Sequence, residues 1–176
     1  GPNRAGDGRH PKGSLTVDSS GSVYGTTAWG GTADVGTVFK YTRGAGYQVL
    51  ASLARGAAGK ITFAGVALDS ESGAMYGSTL RGGDPVCNCG TIFKIDPTTH
   101  ALETLHTFVG SDGANPRATL TIANGRVYGT TYSGGPGDTG TPFSMKTDGT
   151  EFAMQLPTEG RIFESGLAKD AAGHFW

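Results

Sequence analysis

GSVYGTTAWGG at residues 21–31 recurs as GAMYGSTLRGG at residues 73–83 and as GRVYGTTYSGG at residues 125–135. The tyrosines of the three segments are spaced by 52 residues in both intervals. Even spacing of a long motif is the mark of a tandem repeat. The sequence therefore predicts one structural unit of about fifty residues that is used several times along the chain.

Further motifs recur on both sides of the tyrosine segment. The block that follows it is GTVFKYT at residues 36–42, GTIFKID at 90–96 and GTPFSMK at 140–146. The block that precedes it occurs four times, as SLTVDSSG, GVALDSESG, TLTIANG and GLAKDAAG, at residues 14–21, 65–73, 119–125 and 166–173. These blocks predict three complete repeats and a partial fourth. Their predicted bounds within a single repeat domain of residues 1–176 are about 7–57, 58–110, 111–158 and 159–176.

Each repeat has the pattern of four short strands. In the first copy the predicted strands cover residues 14–17, 22–27, 37–41 and 47–53. They are rich in β-branched and aromatic residues, and turns join them at hairpin spacing. No segment has the sustained period of an amphipathic helix. Four antiparallel strands that repeat about every fifty residues are typical of propeller blades, so we predict an all-β, β-propeller-like fold.

The composition excludes several classes of protein. Gly accounts for 31 of the 176 residues and charged residues for 16%, with a net charge of −1. No stretch is rich in Lys and Arg, which argues against a nucleic-acid partner. No apolar run approaches the ~18 residues of a membrane span, and the first residues lack the apolar stretch of a signal peptide, so we expect either a cytosolic chain or one whose leader has been removed.

The residues shared by all repeats have a structural explanation. Phe39, Phe93 and Phe143 occupy one position of the repeat. A propeller blade buries its faces only against neighbouring blades, so the same packing residues are needed in each. An active site generally needs different groups at different repeats. We therefore interpret the shared Gly, Tyr and Phe pattern as packing and turn chemistry.

The chain resembles the GloVer tandem repeat family, which is found in predicted secreted and surface proteins of bacteria. The resemblance rests on the YGTT and GTVF segments, on DGRHP at residues 7–11 and on DGANP at residues 112–116, and it covers nearly the whole chain. It implies a repeat architecture and an extracellular or cell-surface location. It implies no activity, because the family has none that can be transferred residue by residue.

Two residues depart from the family pattern. Pro142 stands where Val38 and Ile92 stand in the other repeats, and a proline in a central strand predicts a bulge or local fraying. Lys169 replaces an apolar residue of the first block. This replacement suggests that the partial repeat is not packed like the others.

The number of repeats predicts an assembly. Propellers usually close with about four to eight blades, so three complete repeats leave sheet edges and apolar faces uncovered. We expect a homodimer, in which a two-fold axis brings two copies together to complete the ring. A piece cut from a longer chain and an open arc with distorted ends are the alternatives.

Ligand-binding side chains are expected in loops at one end of the ring, because loops held by a rigid scaffold carry many functional sites. The expected residues are Trp29, Arg81, Tyr132, Asn115 and His10. Exposed aromatic rings and a planar guanidinium suit stacking on sugar rings or recognition of a protein. Simple packing within the loops is the alternative.

A metal site is a second hypothesis for the same end. Asp7, Asp112 and Glu159 lie in predicted inter-repeat loops, and carboxylates aimed at a central channel could hold Ca²⁺ or another divalent metal. Such an ion could activate a water for hydrolysis of an ester or phosphoester. The alternative is that Asp7 and Asp112 form Asx turns before Gly, in which case no cofactor is required.

The two cysteines, Cys87 and Cys89, flank Asn88 in a loop two residues longer than its counterparts. Relatives that resemble this chain often carry a cysteine pair just before the GTVF block, which suggests a loop disulfide in an oxidising compartment. A bond across one intervening residue is tight. Free thiols, and a zinc site shared with a second chain, are the alternatives.

These features favour a non-catalytic surface or secreted β-propeller module that binds glycan or protein through loops at one end of the ring. The alternative function is a metal-assisted hydrolase, an esterase or phosphoesterase, with its site in the central channel of an assembled ring. No P-loop, GxSxG or HExxH motif is present, and the question of catalysis stays open. A third interpretation is a structural spacer with no ligand.

Overall fold

The computed structural model of the chain describes residues 6–154. This part of the chain contains fourteen strands and one turn of 3-10 helix at Pro136–Asp138. The strands form three antiparallel sheets, and the predicted all-β, propeller-like fold is confirmed. No helix among these residues has the length and hydrophobicity needed to cross a membrane. The predicted partial repeat, with Lys169, lies outside the described residues.

Each sheet is an antiparallel meander whose strands follow one another in chain order. The first sheet contains β1 at Gly8–Pro11, β2 at Thr16–Val17, β3 at Val23–Gly30, β4 at Thr37–Thr42 and β5 at Gly46–Ser52. The second contains β6 at Ala67–Leu68, β7 at Met75–Thr79, β8 at Thr91–Ile95 and β9 at Leu102–Thr107. The third contains β10 at Ala114–Pro116, β11 at Thr121–Ala123, β12 at Arg126–Ser133, β13 at Pro142–Lys146 and β14 at Ala153–Met154.

The first edge of the outer two sheets is divided into two short strands. β1 pairs with the second half of β3, where Arg9 lies opposite Trp29, and β2 pairs with the first half, where Thr16 lies opposite Tyr24. β10 and β11 divide the edge of β12 in the same way. The ends of the DGRHP and DGANP segments therefore form strands, and the prediction of inter-repeat loops was wrong for His10 and Asn115, whereas Asp7 and Asp112 lie outside these strands. The Gly and Pro residues of these segments are typical of turns. Their strand partners are the C-terminal halves of β3 and β12, which come later in the chain.

The glycine of the YGTT motif makes room for the phenylalanine of the next strand. Gly77 lies opposite Phe93, and a Cβ atom on Gly77 would stand 2.4 Å from the Phe93 ring. The same close approach recurs between Gly25 and Phe39 and between Gly129 and Phe143. An aromatic ring that covers a cross-strand glycine pins the register of the two strands. The two residues are therefore needed together in every repeat.

The last threonine of the motif holds the end of the strand pair. Thr79 Oγ1 accepts a hydrogen bond of 3.0 Å from the Thr91 backbone N–H, and the two hydroxyl oxygens are 2.9 Å apart. Equivalent backbone N–H bonds join Thr37 to Thr27 and Thr141 to Thr131. All these threonines are buried. Each bond gives a buried backbone N–H the acceptor that it needs.

The hydrophobic core lies between successive sheets. We call the face of each sheet that carries the GTVF-type phenylalanine its leading face, and the face that carries the YGTT-type tyrosine its trailing face. The trailing face of the first sheet packs on the leading face of the second, in a cluster of Tyr24, Val35, Val38, Leu50, Leu53, Val66, Met75, Phe93 and Ile95. The second and third sheets pack in the same way, through Tyr76, Ile92, Phe108, Leu120, Val127, Phe143 and Met145. The sheets thus stack face against face, as propeller blades do.

Equivalent positions of the three repeats meet at one point. The hydroxyl oxygens of Ser14 and Thr119 are 2.9 Å apart, and Thr119 Oγ1 also accepts a hydrogen bond of 3.1 Å from the Gly65 N–H. A Cβ atom on Gly65 would stand 2.2 Å from the Ser14 carbonyl oxygen. Equivalent points of units related by rotation come together only near the rotation axis. The sheets are therefore arranged about an axis that passes near this point.

Pro142 begins β13 without disturbing it. The pairing of β13 with β12 runs in regular register from Pro142, opposite Thr130, to Lys146. This pairing contains no bulge, and the departure predicted at Pro142 is limited to the first residue of the strand, where the pairing stops one residue pair short of its counterparts in the other two repeats. Proline is tolerated at the first residue of a strand. Because β4 and β8 begin one position earlier, at Thr37 and Thr91, the proline only shortens its strand.

Candidate functional site

The predicted ligand-binding residues lie at the end of the sheets that carries the paired glycines of the motif, which we call the glycine-pair end. They stand in strands or in a bridge, and the prediction that loops carry them was wrong. His10, Trp29, Asn115 and Tyr132 belong to β1, β3, β10 and β12, and Arg81 forms an isolated bridge with Lys60. The last residues of the tyrosine segment pair with the first residues of the same repeat. Because of this long-range pairing, strands are found where loops were predicted.

Trp29 offers an exposed aromatic surface at this end of the first sheet. Its side chain is 41% exposed and lies directly across the strand pair from Arg9. Arg9 forms an ion pair with Asp34, whose Oδ1 also accepts a hydrogen bond of 2.9 Å from the Gly30 N–H. The hydrogen bond from Arg9, followed by that from Gly30, lowers the pKa of Asp34. Trp29 and Arg9 are therefore cross-strand neighbours, and Asp34 orients the Arg9 guanidinium.

Two cations face each other at the same end of the second sheet. Lys60 and Arg81 exchange backbone hydrogen bonds of 2.7 and 3.1 Å, so their side chains emerge next to one another. Neither forms an ion pair with another residue in the range 6–154. Like charges directly opposite one another are unfavourable in a sheet. This pair leaves a positive spot at the glycine-pair end of the second sheet that could attract an anionic or carbonyl group.

Tyr132 is separate from this set. Trp29 and Arg81 hold the same position of the repeat, but Tyr132 lies one position earlier and faces the trailing side, where its counterpart Leu80 is buried. The Arg117 guanidinium stacks over the Tyr132 ring at 3.8 Å from its centre. Tyr132 therefore has a partner within its own repeat and does not join the Trp29 surface.

Asn115 joins the second sheet to the third. Its backbone N–H donates to the Cys89 carbonyl at 2.7 Å, and its Nδ2 donates to the Leu80 carbonyl at 3.0 Å. The Ser133 hydroxyl donates to its Oδ1 at 2.8 Å. These bonds give Asn115 a structural role. His10 holds the equivalent position in the first repeat, where it is exposed and shares the left-handed backbone, with φ of 56° against 57° for Asn115.

Asp112, a predicted metal ligand, forms hydrogen bonds with nearby residues at the boundary between the second and third repeats. Its Oδ2 lies 2.9 Å from His106 Nε2, and its Oδ1 accepts a hydrogen bond of 2.9 Å from the Val109 N–H. Residues 6–154 hold no group of three or more His, Cys, Asp or Glu side chains in position for a metal. Glu159 lies outside the described residues. The site of Asp7, Asp112 and Glu159 therefore stays a prediction.

His106 was not singled out by the sequence and forms the centre of this contact. Its ring stacks parallel to Phe152 with centres 3.8 Å apart, which ties β9 of the second sheet to the third. Burial lowers the pKa of His106, and the neighbouring Asp112 carboxylate only partly opposes that shift. Burial thus favours the neutral imidazole, which packs between the second and third sheets. No spacing rule in the sequence links a strand histidine to an aspartate across a turn.

The cysteine loop contains a hydrogen bond common to all repeats. Cys87 and Cys89 are joined as a disulfide in the structure, with Cα atoms 5.1 Å apart. Between them Asn88 has a left-handed backbone, with φ of 54°, and accepts a hydrogen bond of 2.7 Å from the Gly82 N–H. The first and third repeats make this bond to their glycine pairs with Asp34 and Asp138. The two cysteines thus enclose the residue that holds the glycine pair.

A cleft of about 420 Å³ lies at the opposite end, between the first and second sheets. It is lined by Asp18 and Asp69, which occupy equivalent turns of the two repeats. Hydrogen bonds from Ser20 first, and also from Ser22 and Tyr24, lower the pKa of Asp18 to about 2. The pKa of Asp69 is lowered in the same way by its own turn. Carboxylates held this firmly in the charged form are unsuited to proton transfer at neutral pH.

The sequence matches the family model described as the Gloeobacter/Verrucomicrobia repeat over residues 5–176. The chain belongs to the Gloeobacter/Verrucomicrobia repeat family. The resemblance to the GloVer repeats is thereby confirmed. No curated protein matches the chain in sequence.

Solved structures similar to this Gloeobacter/Verrucomicrobia repeat protein are propeller-type. One, from the crystal structure of a nidogen/laminin complex, has a TM-score of 0.63 at 15% identity over 90% of this chain and 52% of that chain. Another, a gluconolactonase from Xanthomonas campestris, has a TM-score of 0.43 at 11% identity over 90% of this chain and 65% of that chain. The Gloeobacter/Verrucomicrobia repeat protein thus spans about half of the first and under two thirds of the second. At 15% identity the first likeness shows the fold alone.

Proposed function

We propose that the chain is a non-catalytic binding module of a surface or secreted protein, and that it takes a glycan or protein ligand at the glycine-pair end of its sheets. The observation that supports this best is the exposed Trp29 side chain, which lies directly across the strand pair from Arg9. An indole stacks on the apolar face of a sugar ring or on a flat side chain, and a guanidinium supplies donors in a fixed plane. Both side chains lie on paired strands, so binding a ligand costs little conformational entropy.

The electrostatics support binding over catalysis. The carboxylates with the most perturbed pKa values serve turns, and His106 is packed between sheets. General acid and base groups work best with a pKa near the working pH, which these carboxylates do not have. The metal-assisted hydrolase predicted from the sequence would need a ligand set, and no observation on residues 6–154 favours one.

The location and assembly are part of the proposal. The family is typical of bacterial surface or secreted proteins, and a disulfide suits an oxidising compartment. The propeller-type chain in the nidogen/laminin complex supports the view that such a scaffold can serve in protein recognition. We also propose that a second copy completes the ring.

A glycan array tests the binding site. Wild-type protein, Trp29→Ala and Phe63→Ala are applied to an array of bacterial and plant polysaccharides, and the bound protein is measured by fluorescence. Phe63 is the control, because it is also an exposed aromatic, at 38%, but lies before β6 and outside the strands that carry Trp29 and Arg9. We expect saturable binding that falls about tenfold or more in Trp29→Ala and is unchanged in Phe63→Ala.

Two results would contradict the proposed function. Equal binding by all three proteins would remove Trp29 from the site. Release of cleaved sugar from a bound glycan would replace a binding module with an enzyme. If no glycan binds, the same three proteins are tested against extracted cell-surface proteins, and loss of binding in Trp29→Ala alone is again the expected result.

A further inference from the structure

The leading face of the first sheet exposes a group of large apolar side chains. Leu15 is 59% exposed, Val17 61%, and Tyr41 and Tyr47 47% each. An apolar groove, lined by Pro11, Gly13, Leu15, Val23, Phe39 and Tyr41, crosses this face. Soluble proteins seldom expose a contiguous apolar patch unless it serves an interaction. We therefore expect another protein surface to bind to this patch.

The same positions are covered in the other two sheets. The position of Leu15 is held by Val66, which is 0% exposed, and by Leu120, which is 4% exposed. The position of Tyr41 is held by Ile95 and Met145, both 0% exposed. The first repeat thus keeps apolar side chains at positions whose counterparts are core residues. Sequence and burial together indicate a face that is built to be covered.

The residues that cover the leading faces of the other sheets indicate what would cover the first one. Phe93 and Ile95 are buried by Tyr24, Val38 and Leu50, which belong to the trailing face of the preceding repeat. No other kind of surface covers a leading face among residues 6–154. A leading face therefore matches the shape of a trailing face of this same repeat.

A backbone hydrogen bond accompanies each of these contacts. The Ile61 N–H donates to the Val35 carbonyl at 2.8 Å, and the Asn115 N–H donates to the Cys89 carbonyl at 2.7 Å. Both donors have a left-handed backbone, which is uncommon for residues other than glycine. His10 has the same backbone, with φ of 56°, at the uncovered face. The first sheet therefore presents the docking conformation as well as the docking surface.

We propose that this leading face docks onto the trailing face of a repeat in a second copy of the chain, head to tail. The inference rests on the ring assembly proposed above and names its surface. Two head-to-tail contacts related by a two-fold rotation close a ring and bury both patches.

Arg81 shows that this docking is compatible with ligand binding. It holds the position of Trp29 on the second sheet, whose leading face is covered, and it is nevertheless exposed. The position therefore lies at the rim of the contact. Trp29 stays accessible when its own leading face is covered.

Mass measurement in solution tests the proposal. The wild-type chain, of 18.0 kDa, is compared with Leu15→Glu and Tyr41→Lys by sedimentation equilibrium over a wide range of concentrations. Because both side chains are exposed, the substitutions place a charge on the patch without burying it in a core. Val86→Glu is the control, since Val86 is 93% exposed in the cysteine loop, away from the patch.

We expect twice the chain mass for wild type and Val86→Glu, and the single chain mass for both patch variants. Thermal unfolding confirms that each variant is folded, and either patch variant alone suffices for the comparison. A wild-type chain that is monomeric at every concentration, or a dimer that persists in the folded patch variants, would overturn the proposal. A monomer that still binds glycan through Trp29 would overturn the docking surface and leave the binding function intact.

Discussion

Gly77 and Gly25 make the same contact in different surroundings. A Cβ atom at Gly77 would stand 2.4 Å from the Phe93 ring, and one at Gly25 would stand 2.6 Å from the Phe39 ring. Phe93 is 0% exposed beneath the first sheet, whereas Phe39 lines the uncovered groove. Only the ring at the groove is able to move aside. The cost of a methyl group at this glycine therefore depends on whether its leading face is covered.

We predict that Gly77→Ala lowers the free energy of unfolding by about 3 kcal/mol and Gly25→Ala by roughly 1 kcal/mol, because overpacking is costly only where the neighbours cannot move. Urea unfolding, at a concentration where the chain is monomeric, measures both values. Equal losses at the two sites would show that the face opposite Phe39 is as tightly packed as the one opposite Phe93.

Single residues also explain which parts of the site could be found from sequence. Trp29 and Arg81 stand out because the repeat varies at their position. Arg9 and Lys60 become visible only when the strand register places them opposite those residues. Tyr132 was grouped with the first two by residue type, although the alternation of side chains along β12 directs it to the other face.

At the scale of elements, the four-strand meander was predictable and its first edge was not. Alternating apolar residues and hairpin turns locate the strands equivalent to β3, β4 and β5. β1 and β10 were missed because DGRHP and DGANP combine Gly, Pro and left-handed residues, which are typical of turns. Their pairing is decided by strands about twenty residues further along the chain, which local propensity does not register.

The loop between β7 and β8 provides the test of the cysteine pair. We predict that the unfolded, unreduced chain takes up no thiol label, because Cys87 and Cys89 are joined as in the structure. After reduction the same chain should take up two labels. Mass spectrometry of the labelled chain measures both states, and a Cys87→Ser variant, which leaves one free thiol, is the control. Two labels without reductant would show that the pair is a dithiol.

On the scale of the whole molecule, the carboxylates of the turns make the stability of the fold depend on pH. Hydrogen bonds from turn hydroxyls or N–H groups, or a neighbouring cation, lower the pKa of Asp18, Asp34, Asp69, Asp96, Asp148 and Glu151. A carboxylate with a lowered pKa stabilises the fold above its unfolded pKa, and that contribution is lost as the pH falls through its folded pKa.

We therefore predict full carboxylate-dependent stability above about pH 4 and a progressive loss between about pH 4 and pH 2. The lowered pKa of His106 adds a smaller loss that begins below about pH 6.5, because the folded state resists its protonation. Urea unfolding at a series of pH values measures how the free energy of unfolding depends on pH. The variant His106→Gln should remove only the loss that begins below about pH 6.5. A stability that rises as the pH falls from 4 to 2 would contradict the assignment.

The contact of Ser14, Gly65 and Thr119 has a consequence for how such arrays evolve. Small side chains at this one position let the inner edges of the sheets converge, and a Cβ atom at Gly65 would already collide with the Ser14 carbonyl. A bulkier residue there would force the repeats apart and widen the circle on which they stand. Side-chain volume at a single site thus sets the curvature of the array, so a lineage could change its number of repeats per turn while leaving every sheet as it is.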